Sequence, residues 1–311
     1  MSTTVSQPAS GPDQTAAADY RAGFIAALCA FLIWGVAAAY YKLTDEVPAV
    51  MVICYRIIGS VLVVGLVLAL QRRLGQVLEI FKNRRLTLLL TLSASLAAIN
   101  WTIFIWAVEV GRVLDASLGY FINPLVSVAL GVFVLSERLS KLQVAAIALS
   151  CLAVLYQTLL VGAVPWVSLS LAITFALYGL VRKQTAVGAV AGQMVEVLVL
   201  FPLALIGLFY FAYQGLDAFP LQQPWLLAAL LGTGIVTALP LILFAFGARR
   251  LPLSHVGFMQ YIAPSIQFVM AVWVFGEPMD TARLASFTLI WLSLALFSYD
   301  GVRSHRRKTN A

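Results

Sequence analysis

The sequence predicts an all-α membrane protein: ten transmembrane helices arranged as two inverted five-helix repeats, with both termini cytoplasmic. Three observations carry this prediction. Hydrophobic residues make up 62% of the 311 positions and charged residues only 11%, against roughly 45–50% and about 25% in soluble domains. Apolar blocks of about 20 residues, each long enough to cross a hydrocarbon layer of roughly 30 Å, succeed one another from Gly23 to Tyr299. Two of those blocks, five apart, align with each other at a constant offset.

Taken in order, the blocks are 23–43, 48–70, 86–107, 114–135, 142–161, 164–182, 191–213, 225–247, 253–275 and 282–300. Their connectors are short, which leaves no soluble module to hold a ligand or a catalytic centre. Function is expected within the bundle. Residues 1–20, rich in Ser, Thr, Gln and Ala, lack a basic stretch before an apolar core and do not resemble a cleaved signal peptide. They are expected to form a disordered cytoplasmic tail. Cys29, Cys54 and Cys151 all fall inside blocks without paired spacing, which argues against a disulfide framework or a metal site.

Basic residues mark the cytoplasmic side of a membrane protein. Arg72, Arg73, Lys82, Arg84 and Arg85 crowd one loop, and Arg303, Arg306, Arg307 and Lys308 follow the last block. With the N-terminus inside, the same side collects Arg21, Arg138, Lys141, Arg182, Lys183, Arg249 and Arg250, while only Lys42, Arg112 and Arg283 fall outside. Arg56 alone is left within a span. The net charge of +7 is thus accounted for by topology, and nucleic acid is not an expected partner.

NWTIFIWAVEVGRVLDASLGYFINPLVSVALGVFVLSE (100–137) and PLILFAFGARRLPLSHVGFMQYIAPSIQFVMAVWVFGE (240–277) superpose without a gap at an offset of 140. Pro124 meets Pro264 and Glu137 meets Glu277. An offset of 144 also lays Phe31–Gly35 on Phe175–Gly179. Because five spans separate the partners, the matched segments cross the membrane in opposite senses. Inverted repeats of this kind mark secondary transporters, in which two similar halves exchange conformations around one central site. The alternative is a duplicated scaffold without transport.

The segments LIWGVAAAYYK, INWTIFIWAVE, ASLGYFINPLVSVALGVFVLSERL, ALYGLVRK and GFMQYIAPSIQFVMAVWVFGE resemble the RarD branch of EamA-type permeases, within the drug/metabolite transporter superfamily. The resemblance runs from the first block to the tenth. It implies a bacterial inner-membrane permease built from two EamA-like five-helix repeats, at 21–161 and 162–302, around a central cavity, with a basic cytoplasmic tail at 303–311. The RarD name is attached to chloramphenicol sensitivity, and family analogy implies export.

Candidate site residues follow from what is costly in lipid. Pro124 lacks the N–H that would bond the Tyr120 carbonyl, and Pro264 does the same to Gln260, so kinks are expected at both. A carbonyl freed in a membrane must face protein, water or substrate. Tyr120, Asn123, Gln260 and Tyr261 are therefore expected to line the cavity, with Asn100 in the matched segment added to them. Interhelical hydrogen bonding is the competing reading.

Arg56 and Glu196 occupy positions 140 apart, and intramembrane charges usually face a cavity or an ion pair. Inversion separates them in height by about 10 Å of a core of roughly 30 Å. Each is thus expected to face the cavity near one gate, Glu196 as a proton or cation site and Arg56 toward an anionic group. Snorkelling to the nearest interface is the alternative. Trp34 and Tyr178 fall on the repeat match beside glycines and are candidates to stack on a planar or cationic substrate.

No phosphate loop, GxSxG or HExxH occurs, and the only histidines are His255 and His305, so an enzyme is not expected and neither is a cofactor or metal. The expected partners are a small-molecule substrate and the lipid bilayer, and the sequence is compatible with a homodimer. The predicted activity is secondary transport, as an exporter, of a small organic metabolite or drug by alternating access. An uptake permease, a metabolite exchanger and a non-transporting membrane sensor or assembly protein are the alternatives.

Overall fold

The computed structural model describes residues 12–110, 112–161, 166–273 and 281–309, and among them every regular element is a helix. In chain order these are α1 (Pro12–Tyr41), a 3-10 turn (Lys42–Thr44), α2 (Ala49–Leu70), α3 (Leu74–Lys82), α4 (Arg84–Glu109), α5 (Val113–Phe133), α6 (Lys141–Val161) and α7 (Trp166–Gln184). There follow α8 (Ala189–Tyr213), α9 (Pro224–Arg250), α10 (Leu253–Met259), α11 (Ile262–Trp273) and α12 (Thr281–Thr309). Each predicted block falls on one helix, except the ninth, which falls on α10 and α11.

Three features depart from the expectation. Helix α1 starts at Pro12, so the second half of the expected disordered tail is helical. A proline in the first turn followed by an alanine-rich stretch suits helix formation, and lack of apolar residues had concealed it. The basic residues after 302 continue α12 to Thr309. The loop between α2 and α4 contains α3, nine residues long and too short to register as a span. Its Val77 and Ile80 pack with Val187 and Ala191 at the start of α8.

By length and composition, five stretches among the described residues are able to cross a membrane: Ala17–Thr44, Ala49–Leu70, Arg84–Ala107, Ala189–Tyr213 and Pro224–Arg250. Leu118–Phe133, Lys141–Tyr156 and Leu284–Asp300 are shorter apolar helices. Outward-facing aliphatic and aromatic side chains, including Leu62, Leu66, Leu203, Ile206 and Phe209, are exposed, while Ser60, Ser93, Ser150, Thr233 and Ser293 are buried. An apolar exterior around small polar contacts is the packing expected in lipid.

Four helix starts recur at the offset of the sequence match. Helices α2, α4, α5 and α6 begin at 49, 84, 113 and 141, and α8, α9, α10 and α12 at 189, 224, 253 and 281, each 140 residues later. Packing recurs as well. Helix α1 lies against α9 and α11, α7 lies against α4 and α5, α2 faces α8, and α6 faces α12.

The bundle has two distinguishable ends. The Tyr40 hydroxyl, near the close of α1, donates to the Ala229 carbonyl near the start of α9 at 2.8 Å, whereas Gly23 abuts Arg250 at the end of α9. The two helices are therefore antiparallel. The end that holds Arg250, Arg249, Lys183 and the neighbours of α3 is the basic end. Midway, α2 and α9 cross so closely at Gly59 and Gly234 that a Cβ on either would overlap the other's backbone. Beside this crossing the Ser60 hydroxyl donates to the Gly234 carbonyl at 3.2 Å.

Candidate functional site: a one-sided cavity

A cavity of about 360 Å³ lies in the half of the bundle away from the basic end. Helices α1, α2, α4, α5, α7, α9 and α11 wall it, so residues from both sequence halves meet there. Pockets for small ligands run from roughly 300 to 1,000 Å³, which puts this one near the small end. Of the sequence candidates, Trp34, Arg56, Asn100, Tyr120, Asn123, Gln260 and Pro264 line it.

Each wall is held differently. Trp34 packs against Phe31, Phe175 and Phe244 with ring centroids 5.6, 5.8 and 5.9 Å apart, and its carbonyl accepts from Gln267 Nε2 at 3.2 Å. Asn100 donates through Nδ2 to the Leu171 carbonyl at 2.8 Å and the Thr174 hydroxyl at 2.9 Å, so it both lines the cavity and ties α4 to α7. Arg56 donates through Nε to Thr237 Oγ1 at 2.9 Å. Its guanidinium carbon lies 4.7 Å from the Trp101 ring centroid and 5.4 Å from that of Tyr41, within cation–π range.

At the closed end of the cavity, Asn123 and Gln260 are buried. Gln260 Nε2 donates to Ser127 Oγ at 3.1 Å, while Asn123 Oδ1 and Gln260 Oε1 have no hydrogen-bond partner. Buried acceptors are usually satisfied, so these two carbonyl oxygens stand ready for a donor.

The two prolines act unequally. Helix α5 continues through Pro124 from Val113 to Phe133, so the helix is not interrupted there. Before Pro264 the chain does break: Gln260 and Tyr261 separate α10 from α11, and their amides reach back three residues, to Gly257 at 3.1 Å and Phe258 at 3.2 Å. One missing hydrogen bond only strains a long helix, whereas α11 has a turn of tighter geometry preceding it. Gly257 is needed at this turn, because a Cβ there would press on the Pro124 carbonyl and the Ser127 Cβ.

Three candidates lie elsewhere. Tyr261 is buried and donates to the Phe121 carbonyl at 3.1 Å. Tyr178 stacks on Phe244, centroids 5.9 Å apart and planes 21° from parallel, in the core toward the basic end. Glu196, expected at the cavity, is buried beside Arg182, whose Nε lies 3.6 Å from its Oε1, and it accepts a hydrogen bond from the Ser93 hydroxyl. The Tyr178 hydroxyl points toward this carboxylate without a partner of standard geometry.

Arg182 reads in sequence as one of the charges at a cytoplasmic span end, yet its side chain is 1% exposed. It lies on the last turns of α7, and Gly192 on α8 leaves room for its guanidinium. Nothing in the sequence separates it from the neighbouring Lys183, which donates to the backbone carbonyls of Ala248 and Leu251. Trp101, Phe175 and Thr237 also line the cavity without having been singled out, although Phe175 is the repeat mate of Phe31.

Glu137 closes the basic end at another point. The Leu253 and Ser254 amides donate to its two carboxylate oxygens at 2.5 and 2.9 Å, so the last residue of one matched segment caps α10 in the other half. Glu277, its sequence mate, lies outside the described residues. Glu137→Ala should lower thermal stability in detergent by about 1 kcal/mol, the usual cost of losing an N-terminal cap. An unchanged melting temperature would show that these amides find other partners.

The EamA-like transporter family model matches residues 21–159, close to the first expected repeat. An uncharacterized transporter of Pseudomonas aeruginosa is 42% identical over 296 residues, covering 94% of this chain and 98% of the relative. The protein RarD of Salmonella typhi is 42% identical over 288 residues, covering 93% and 98%. A solved protein crystal structure superposes with a TM-score of 0.68 at 17% identity, covering 88% of this chain and 96% of that one, so this fold recurs in a solved structure. With likeness of this depth along nearly its whole length, the chain belongs to the EamA-like transporters of the drug/metabolite superfamily, in the RarD branch, and is a multi-pass membrane permease.

Proposed function

We propose that this protein is a secondary transporter of the bacterial inner membrane that moves a small organic metabolite or drug by alternating access. Ten membrane crossings form two inverted repeats, 21–161 and 162–302, with both termini and the basic end in the cytoplasm. Export is the direction that the family resemblance favours, and uptake or exchange through the same cavity is the alternative.

One observation carries the proposal: two repeat pairs are in opposite situations, while others, such as Tyr120 with Gln260, line the cavity together. Arg56 and Trp34 line the cavity, while their mates Glu196 and Tyr178 are buried in the half toward the basic end. In an inverted-repeat transporter the two halves exchange these situations when the cavity changes sides. The described state is then outward-facing. Its inner side is closed by the Arg182–Glu196 pair, the Tyr178–Phe244 stack and the Glu137 cap. Opening inward would part them, and proton coupling through Glu196 would be available only in that state.

The functional test is solute flux into proteoliposomes of the purified protein. Saturable flux supports transport, and binding without flux would mark a sensor or assembly protein. Asn123→Leu should fold normally, because Asn123 Oδ1 bonds no other residue, yet reduce flux at least tenfold by removing a polar group from the cavity. Misassembly of this variant, or normal flux, would return Asn123 to a packing role.

A further inference from the structure

We infer that the cavity selects a small water-soluble organic anion with a planar or apolar body, and that Arg56 anchors its anionic group. This rests on the transporter reading above and names the substrate class of the same cavity. Arg56 is the only charged side chain lining the cavity among the residues whose side chains are described. It lies about 10 Å into α2, seven residues beyond Ala49 at 1.5 Å per residue. A guanidinium at such depth is costly unless something compensates it.

Neither ion pair found among the residues whose side chains are described involves Arg56. What surrounds it fixes its position without cancelling its charge. Thr237 takes only Nε, and the Thr237 hydroxyl is itself oriented by donating to the Thr233 carbonyl at 2.8 Å. Trp101 and Tyr41 offer neutral ring faces. The Nη atoms are left as paired donors, the geometry that best fits a carboxylate or phosphoryl group. The contrast with Arg182 is direct, since that arginine has its carboxylate in Glu196.

The remaining walls define the rest of the ligand. Trp34, Phe104, Tyr120 and Phe175 give broad apolar faces, which suit a planar or hydrocarbon body. Asn123 Oδ1 and Gln260 Oε1, each without a partner, accept from a hydroxyl, amine or ring N–H on it. A cation is repelled by Arg56, and a neutral analogue leaves the guanidinium uncompensated, so discrimination arises from both terms.

Calorimetric titration of the full-length protein in phosphatidylcholine nanodiscs tests this. The probes are phenylacetate, 4-hydroxyphenylacetate and indole-3-acetate, each beside its neutral carboxamide and the matching arylalkyl ammonium. At least one carboxylate should bind about tenfold or more tightly than its amide. Arg56→Gln should erase that preference and Arg56→Lys should retain part of it. The inference is overturned if no carboxylate is preferred, if an ammonium compound binds best, or if the preference survives in folded Arg56→Gln. The wild-type comparison decides the matter even where that variant fails to fold. Adding phosphatidylglycerol in a parallel arm identifies a lipid headgroup as the occupant if it displaces the carboxylate, which would also overturn the inference. Saturable flux without anion preference removes the anion and leaves transport standing, whereas anion binding without flux does the reverse.

Discussion

Arg182→Met is expected to destabilise the folded protein by about 3–5 kcal/mol, the usual cost of removing one partner from a buried ion pair. Arg182 and Glu196 have side chains 1% and 4% exposed, so neither can reach water when the other is lost. After the substitution Glu196 would keep the Ser93 hydroxyl but no positive charge. Adding Glu196→Gln should recover most of the loss, because an uncharged amide tolerates burial that an unpaired carboxylate does not. Thermal unfolding of the wild type, both single variants and the double variant in one detergent completes the cycle. Equal stability of Arg182→Met and the double variant would sink the pair as a structural element. If the pair also holds the inner side shut, the double variant should pass solute with altered rate while remaining folded.

Gly234→Leu should prevent assembly altogether. At this crossing a single Cβ would already overlap the Gly59 backbone and the Ser60 amide, and backbone on both sides leaves no flexible side chain to move aside. Close backbone approach at small residues is a main source of helix association in membranes, where burial of apolar surface gives no advantage over lipid. The expected result is aggregated or degraded protein, read by size-exclusion chromatography after membrane extraction. Gly75→Ala is the matched control. Nothing lies within 4 Å of a Cβ at Gly75, and a glycine inside α3 costs roughly 0.5–1 kcal/mol relative to alanine, so that variant should be as stable as the wild type or slightly more so. A monodisperse Gly234→Leu protein of normal stability would show that α2 and α9 separate more easily than their geometry implies.

These two sites differ in how far the sequence announces them. Gly59 and Gly234 are unremarkable among 21 glycines, and nothing short of the crossing itself distinguishes them. Glu196 does stand out, as a lone acid in an apolar block, but its partner does not. Arg182 reads as one of two basic residues at a span end, and only the packing of α7 against α8 turns one inward and ties the other to the carbonyls of Ala248 and Leu251. Pro124 and Pro264 teach the same lesson. The offset that pairs them is visible in sequence, yet α5 runs on while the chain breaks at Gln260 and Tyr261, since a helix's response to proline depends on what else holds it.

What the sequence by itself determined is the helical membrane class, the family and the offset of 140. Those depend on composition, block length and motif identity, which are properties of residues in order. Seven of the eleven residues proposed for cavity or kink do line one cavity, because lipid makes an amide, an arginine or a proline expensive anywhere except beside protein or solute. Only the tertiary structure decided that Tyr120 and Gln260 face that cavity together, whereas other pairs are split between it and the core. Arg56 and Glu196, or Trp34 and Tyr178, hold matching places in the chain. The packed bundle has its cavity on one side, so their surroundings differ, which the order of residues does not encode.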